Sequence, residues 1–492
     1  MAKAMKDECD VLETFDVVII GAGISGINCA YRIQSQLPGA TFTVLENRDD
    51  LGGTWDLFKY PGVRSDSNLR HYSFAWHPWP YQNPPIADGP LIKQYLKDSV
   101  SQHGIDRYLR FGHKVVSTAW SSKSQQWKVK AIHDGVAKEF RAQFLVLGTG
   151  YYDYQTPRQT VIPGLEDFKG EVVHPQFWPE DFDYTGKKLA VIGSGATTVT
   201  LLPNLAKKAA QAVMVQRSPT YIAAMNNRVP KAPWMQNYLP ASTVKTWTRL
   251  SYMVKDYLTT VYCHYFPKQA RALFRKMTIA KLPQRIDYDR HFTPRYNPWE
   301  QRVCLSPDGD FFQAFHNPNT DIVTGKIETV TKDGIQMEDG TIIPADCIVT
   351  ATGLTMVLGG GIDISVDGQK LDWGDRFMWN GAMVEEVPNM VYMMGYVNHS
   401  WTLGADDTAH ILIRVMKNMQ RNGVRAAVPR VPEGAVTDTR RTWKLSSTYS
   451  QEAESRLPRS GSHGPWRPKG HVPLDYLHAR WGDVTTGLHY SA

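Results

Sequence analysis

Two stretches of the chain, FDVVIIGAGISG from Phe15 and KLAVIGSGATT from Lys188, run from a short apolar segment through a glycine-rich turn into a helical pattern. This repetition predicts an α/β protein built from two doubly wound, Rossmann-like units. A third observation is helical spacing without strand signals between about 226 and 300, which predicts a helical insertion. At 492 residues the chain has room for about three domains.

In order, FDVVII reads as a buried parallel strand, GAGISG as a turn and INCAYRIQSQL as a helix. After the break at Pro38 and Gly39, TFTVLE forms a second strand ending at Glu46, which completes a βαβ unit. FLVLGTG, ending at Gly150, is another buried strand closing on a tight turn. The unit from Lys188 repeats the plan, with AVMVQRS as its second strand. In the insertion, Val244, Trp247, Val254, Tyr257, Leu258 and Val261 fall near helical spacing, which predicts a face packed on the core. DCIVTATG (from Asp346) and PNMVYMMGY (from Pro388) read as strands, and SWTLGADDTAHILIRVMKNM as a helix whose N-terminus faces a ligand. Beyond Gly423 the chain becomes rich in Pro, Arg, Ser and Gly, as in a draped or partly disordered arm. The expected division is 14–153 and 344–425 for the first domain, 154–185 for a linker, 186–343 for the second domain and 426–492 for the arm.

Gly21, Gly23 and Gly26 have the GxGxxG spacing: one glycine for the tight turn, one for close approach to a pyrophosphate, one for helix–strand packing. The helix N-terminus adds the positive end of a dipole, and Glu46 can accept from ribose hydroxyls. The second turn holds Gly193, Ser194, Gly195 and Thr197, but Thr198 replaces the third glycine, where its side chain is expected to push or tilt the helix. Its next strand ends in Arg217 and Ser218, where an acidic residue would select NAD. A guanidinium suits a 2′-phosphate, so NADPH is predicted; the plain alternative for Arg217 is a surface charge.

The net charge of +7 is scattered along the chain, which suits phosphate-bearing cofactors and gives no nucleic-acid signature. The cysteines, Cys9, Cys29, Cys263, Cys304 and Cys347, form no CxxC, which excludes a zinc knuckle and a thioredoxin-type pair. No metal is expected. The polar start, MAKAMKDECD, and the lack of any apolar run near ~20 residues predict a cytoplasmic protein without membrane association. The alternative is a membrane-surface face on the insertion. Oligomeric state has no sequence signal.

FKGEVVHPQFW sets Phe168, Gly170, His174 and Trp178 in the spacing FxGxxxHxxxW, and GGTWDLFKYPGVRSD holds Gly53, Thr54, Trp55, Tyr60, Pro61, Gly62 and Asp66. Together they resemble the two fingerprints of type I Baeyer–Villiger monooxygenases, the ketone-oxygenating branch of class B flavoprotein monooxygenases. Plainer flavin monooxygenases usually end the first pattern in Tyr or Phe. The likeness covers about residues 14–480, includes RSPTY and NHSWTL, and is nearest the shorter, ethionamide-activating branch. Thr198, where that branch usually has Ala, departs most clearly.

The resemblance implies FAD at the first turn, contacted by Gly21, Gly23, Gly26, Glu46, Gly53, Thr54, Trp55 and Asp66. It implies NADPH at the second, contacted by Gly193, Ser194, Gly195, Thr197, Arg217 and Ser218. Hydride from NADPH would reduce the flavin, dioxygen would form a flavin peroxide, and attack on a ketone would give an ester or lactone. Arg302, in NPWEQRVCL, is implied as the catalytic cation, Asp66 as the group that orients it, and His174 as an organiser of the link. Trp401 and Trp299 are expected near the substrate. Three alternatives stand beside this reading: sulfide or amine oxygenation, a flavin disulfide reductase (opposed by the missing CxxC), and a non-catalytic nucleotide-binding protein.

Overall fold

The structure is a computed structural model that describes residues 12–80, 82–228, 234–396, 399–432, 434, 438–443 and 451–492. Val17 to Ile20 are buried without alternation, as in a strand covered on both faces. This strand, β1 (Glu13–Ile20), leads through the glycine turn into α1 (Ile24–Gln36) and then β2 (Phe42–Leu45). β2 lies parallel to β1, with Val17 opposite Phe42 and Ile20 opposite Leu45. β3 (Leu109–Arg110) extends the sheet past β2. β4 (Lys114–Ser121), β5 (Gln126–His133) and β6 (Val136–Leu147) form an antiparallel meander. β6 also runs parallel to β1 on the side away from β2. The order β3-β2-β1-β6 therefore reverses direction beside β1, and a crevice opens at the carboxyl ends of β1 and β6.

The second sheet has five parallel strands in the order β10-β9-β8-β11-β7. They are β7 (Glu171–Val173), β8 (Lys188–Ile192), β9 (Gln211–Gln216), β10 (Thr320–Thr324) and β11 (Cys347–Thr350). α2 (Ala196–Leu205) follows the glycine turn after β8. Two expected boundaries move. DCIVTATG supplies β11, which pairs with β8 in the second sheet rather than opening the returning first domain. The linker likewise supplies the edge strand β7. Gly170 permits that pairing, since a Cβ on it would stand 2.3 Å from Asp346 O.

The insertion contains α3 (Ala241–Tyr265) and α4 (Pro267–Ile279). The expected core face is only partly present. Val244 is buried and Tyr257 and Val261 are half-buried, but Trp247, Val254 and Leu258 are exposed. α3 turns polar groups inward instead: Arg249 Nη1 donates to Ser73 O at 2.7 Å, and Asp256 lies 3.5 Å from His399 Nδ1.

The chain then returns to the first sheet as β12 (Met390–Tyr392), parallel to β6. α5 (Trp401–Asn422) packs on α1, and α6 (Val472–Trp481) packs on α5. β13 (Ala426–Pro429) pairs antiparallel with β14 (Leu488–Ser491). Where it is described, the arm is thus draped on the body. A buried ion cluster fastens it: Asp406 of α5 binds Arg32 of α1 at 2.8 Å and Arg480 of α6 at 3.0 Å. Asp407 takes the other branch of Arg480 at 2.8 Å. The matched partners offset the cost of burying these charges.

Candidate active site between the two glycine turns

The two turns are built alike. Gly21 has φ +100°, and a Cβ there would stand 2.7 Å from Gly148 O, just past β6. Gly193 has φ +142°, and a Cβ there would stand 2.2 Å from Ala351 O, just past β11. Neither backbone accepts a side chain. Gly26 is needed for packing, because its Cβ would fall 1.9 Å from Gly21 O. Gly23 and Gly195 differ. A Cβ on Gly195 meets no protein atom, and one on Gly23 makes only ordinary contacts with Gly53, the nearer at 3.7 Å. Nothing in the protein demands these two glycines, whereas a pyrophosphate lying against the turn does.

Thr198 occupies the position of Gly26 in the second turn. It is fully buried, and its Oγ1 has no hydrogen-bond partner among the described residues. Gly193 has φ +142° where Gly21 has +100°, and a Cβ on Gly193 would stand 3.1 Å from the Thr198 hydroxyl. Glu46 straps the first turn: Oε2 accepts from Ala22 N at 2.7 Å and Oε1 from Arg48 N at 3.0 Å. Burial pushes its carboxyl pKa up, and the backbone donors oppose that shift.

One cleft of about 1670 Å³ joins both turns. A single drug-sized ligand needs roughly 300–1,000 Å³, so there is room for two extended dinucleotides. Every residue expected at the cofactors lines this cleft except Gly26, which lies behind the turn. Arg302 and Asp66, 236 residues apart, meet on its wall. Arg302 Nε lies 2.8 Å from Asp66 Oδ2, and Nη2 donates to Asp66 Oδ1 at 2.8 Å and to Ser67 Oγ at 2.9 Å. Two parallel bonds fix the plane of the guanidinium as well as its position. About a third of each side chain remains open to the cleft.

The loop bearing Asp66 belongs to the first domain but is seated on the second. Tyr60 sits beside the Thr197 hydroxyl, and Gly62 passes so close to α2 that a Cβ would fall 1.9 Å from Asn204 Nδ2. Arg64 pairs with Asp310. Trp55 Nε1 donates to Tyr72 OH at 3.2 Å, and the Thr54 and Tyr154 hydroxyls are 2.9 Å apart. Trp401 lines the cleft, donates to Ser25 Oγ at 2.9 Å and stacks on Tyr151 with centroids 4.8 Å apart. Tyr72, Tyr151, Tyr154 and Arg158 also line it, and sequence reasoning missed all four. Arg158 donates to Thr352 O at 2.5 Å and pairs with Glu452 of the arm at 2.7 Å. The aromatic cluster YYDY after FLVLGTG was the available signal for Tyr151 and Tyr154, whereas Tyr72 and Arg158 stand in no recognisable spacing.

One expectation needs correction. Trp299 is off the cleft: it has φ +71°, and its indole lies against Cys263 of α3. The expected pocket loop VNHSW is only partly described, since Val397 and Asn398 lie outside the described residues. None of the fingerprint residues Phe168, Gly170, His174 and Trp178 lines the cleft. Phe168 and Trp178 are buried against the second sheet, and His174 Nδ1 accepts from Gln176 N at 3.3 Å. Among the described residues no group of side chains could hold a metal ion.

Behind the cleft, burial pushes the fully enclosed His71 down to about 4, against the pull of Asp256. The unfolded chain takes up this proton near 6.5, so the stability is present above that pH and is lost as pH falls toward about 4. The full loss is about 3 kcal/mol. Urea unfolding at about pH 7 and about pH 5 should differ by about 2 kcal/mol more in the wild type than in His71→Gln. Equal pH dependence would show that His71 is not held neutral. For Thr198→Ala, removing a buried unpartnered hydroxyl should raise the melting temperature and keep or tighten NADPH affinity. A large loss of affinity would mean that the hydroxyl touches the ligand.

A flavin-binding monooxygenase-like family model matches residues 15–359. The chain is 41% identical over 484 residues to the FAD-containing monooxygenase EthA of Mycolicibacterium smegmatis, covering 97% of both. It is 38% identical over 485 residues to the putative FAD-containing monooxygenase MymA of Mycobacterium tuberculosis, covering 97% of this chain and 98% of the other. The fold is shared with a steroid monooxygenase bound to NADP (TM-score 0.76, 21% identity, 97% of this chain and 99% of that one). It is shared also with an open cyclohexanone monooxygenase (TM-score 0.75, 22% identity, 98% and 100%). With two glycine turns on one cleft and relatives matched end to end, the chain belongs to the flavin-binding monooxygenase-like family.

Proposed function

We propose that this flavoenzyme inserts one oxygen atom of dioxygen beside a ketone carbonyl, giving an ester or lactone at the expense of NADPH. Its cofactors are FAD and NADP(H): the first glycine turn and Glu46 suit FAD, and the second turn with Arg217 suits NADPH. The observation that carries the reading is the Arg302–Asp66 fork on the wall shared by the two turns. When bound, the cofactors supply hydride transfer and the activation of dioxygen. The chain supplies the rest. Gly23 and Gly195 leave space for the pyrophosphates, and Glu46 offers its carboxylate to ribose hydroxyls. Arg302 keeps its proton at any working pH, so it presents a fixed cation where negative charge develops on the substrate oxygen. Asp66 holds that cation in one plane. Trp55, Tyr72 and Trp401 form a largely apolar wall that limits water.

Removal of the guanidinium should separate the two half-reactions. Arg302→Ala should retain flavin and accept hydride in stopped-flow reduction, while ester yield falls by two or more orders of magnitude and hydrogen peroxide accumulates. A preorganised donor at an oxyanion is worth about 2.7–4 kcal/mol. Asp66→Ala should show a weaker form of the same loss. Product analysis on cyclic ketones, aryl ketones and sulfides provides the readout, and near-normal ester yield from Arg302→Ala would overturn the assignment. Arg217→Ala should raise the KM for NADPH by roughly 10- to 150-fold and barely change NADH turnover. An unchanged preference between the two would remove Arg217 from the 2′-phosphate site.

A further inference from the structure

Much of the insertion's apolar surface faces outward. Along α3, Trp247, Leu250, Val254, Leu258 and Tyr265 lie within roughly 60° of one another's mean direction at 100° per residue. All five are exposed, with Trp247 and Leu258 at 57% and Tyr265 at 71%. Phe266, Leu273 and Met277 carry exposed apolar surface onto α4. The opposite side of α3 carries the buried Arg249 and Asp256 contacts. A surface helix ordinarily buries its apolar stripe. Here the body receives Val244 and the Arg249 and Asp256 contacts, and much of the apolar stripe is left for another phase or partner.

Charge decides what fits. Lys245, Lys255, Lys268, Arg271, Arg275 and Lys276 are exposed on the same two helices. Between Ala241 and Ile279 the sole carboxylate is Asp256, which faces inward to His399. Asp289, from the following helical turn, offsets Arg275. Lys255 and Lys276 flank the apolar stripe at about 80–90° and the other cations lie farther round, so a second copy of this face would oppose like charges at its rim, whereas anionic headgroups complement both the rim and the net positive field of the two helices. Trp247 and Tyr265 add aromatic rings of the kind that settle at the headgroup boundary. No helix among the described residues is long and apolar enough to cross a membrane, so contact would lie in the surface plane. We propose that the α3–α4 face docks on the surface of an anionic phospholipid bilayer.

The test is co-sedimentation of the flavin-loaded protein with vesicles of phosphatidylcholine alone or mixed with phosphatidylglycerol, at low and high salt. Binding to the mixed vesicles should be at least roughly tenfold tighter and should weaken with salt. The double variant Trp247→Ser/Leu258→Ser should lose at least roughly tenfold in that binding, while flavin content and NADPH oxidation stay at wild-type levels. Lys255→Gln/Lys268→Gln, which leaves the apolar stripe intact, should reduce the preference for anionic vesicles. Absence of binding to mixed vesicles, or equal binding by wild type and the serine variant, overturns the proposal. So does light scattering that shows a dimer dissociated by the serine variant with no vesicle binding, which would assign the face to a second copy.

Discussion

Twice in this chain, backbone approaches backbone where no side chain fits between: Gly21 against Gly148, and Gly193 against Ala351. Each contact lies at the carboxyl end of two parallel strands whose connections leave in opposite directions. The close approach draws the first turn of the following helix up to the strand ends and aims its free N–H groups into the crevice. Sheet order, helix placement and the position of the cleft follow from this constraint. Its duplication in two sheets sets two nucleotide-shaped openings on one cavity.

The wall that carries Arg302 and Asp66 depends on how the sheets are joined. Asp66 comes from the first domain and Arg302 from the second half of the chain, and neither position is rigid alone. The loop that carries Asp66 is gripped through Tyr60 on Thr197, Gly62 on Asn204 and Arg64 on Asp310. A change in the angle between the domains would therefore move Asp66 with the second domain, and the fork with Arg302 would travel as a unit. This favours a cation that keeps its orientation while a nicotinamide comes and goes. The fingerprint segment contributes stiffness of the same kind: Phe168 and Trp178 are buried in the second domain rather than in the cleft.

The glycine turns and the strands around them were legible in the sequence because each belongs to a local pattern with a fixed offset, whereas the meeting of Arg302 with Asp66, 236 residues apart, was implied only by the family resemblance. What was not legible is non-local. DCIVTATG declared itself a buried strand, but its sheet depends on β7 and β8, which lie far away in sequence. The spacing of Trp247, Val254 and Leu258 correctly implied a helix with an apolar face, but periodicity carries no information on which way that face points. Trp299 and Trp401 were equally plausible neighbours of the substrate from type alone. One lines the cleft and the other does not, and only the backbone path after Asn297 and after His399 decides which.

The inward side of α3 shows why its polarity is tolerated. Arg249, Asp256, His399 and His71 come together behind the wall that bears Arg302 and Asp66. Arg249 and His399 both disfavour a proton on His71, and Asp256 favours one, but burial outweighs all three. Burial works to raise the Asp256 pKa, but the interaction with His399 and the positive charge of Arg302 outweigh it, so the carboxyl lies below its ordinary range. An apolar inner face on α3 would have left Ser73 O and the His399 imidazole without the Arg249 and Asp256 partners they have here, and a buried polar group left without a partner costs about 1–3 kcal/mol.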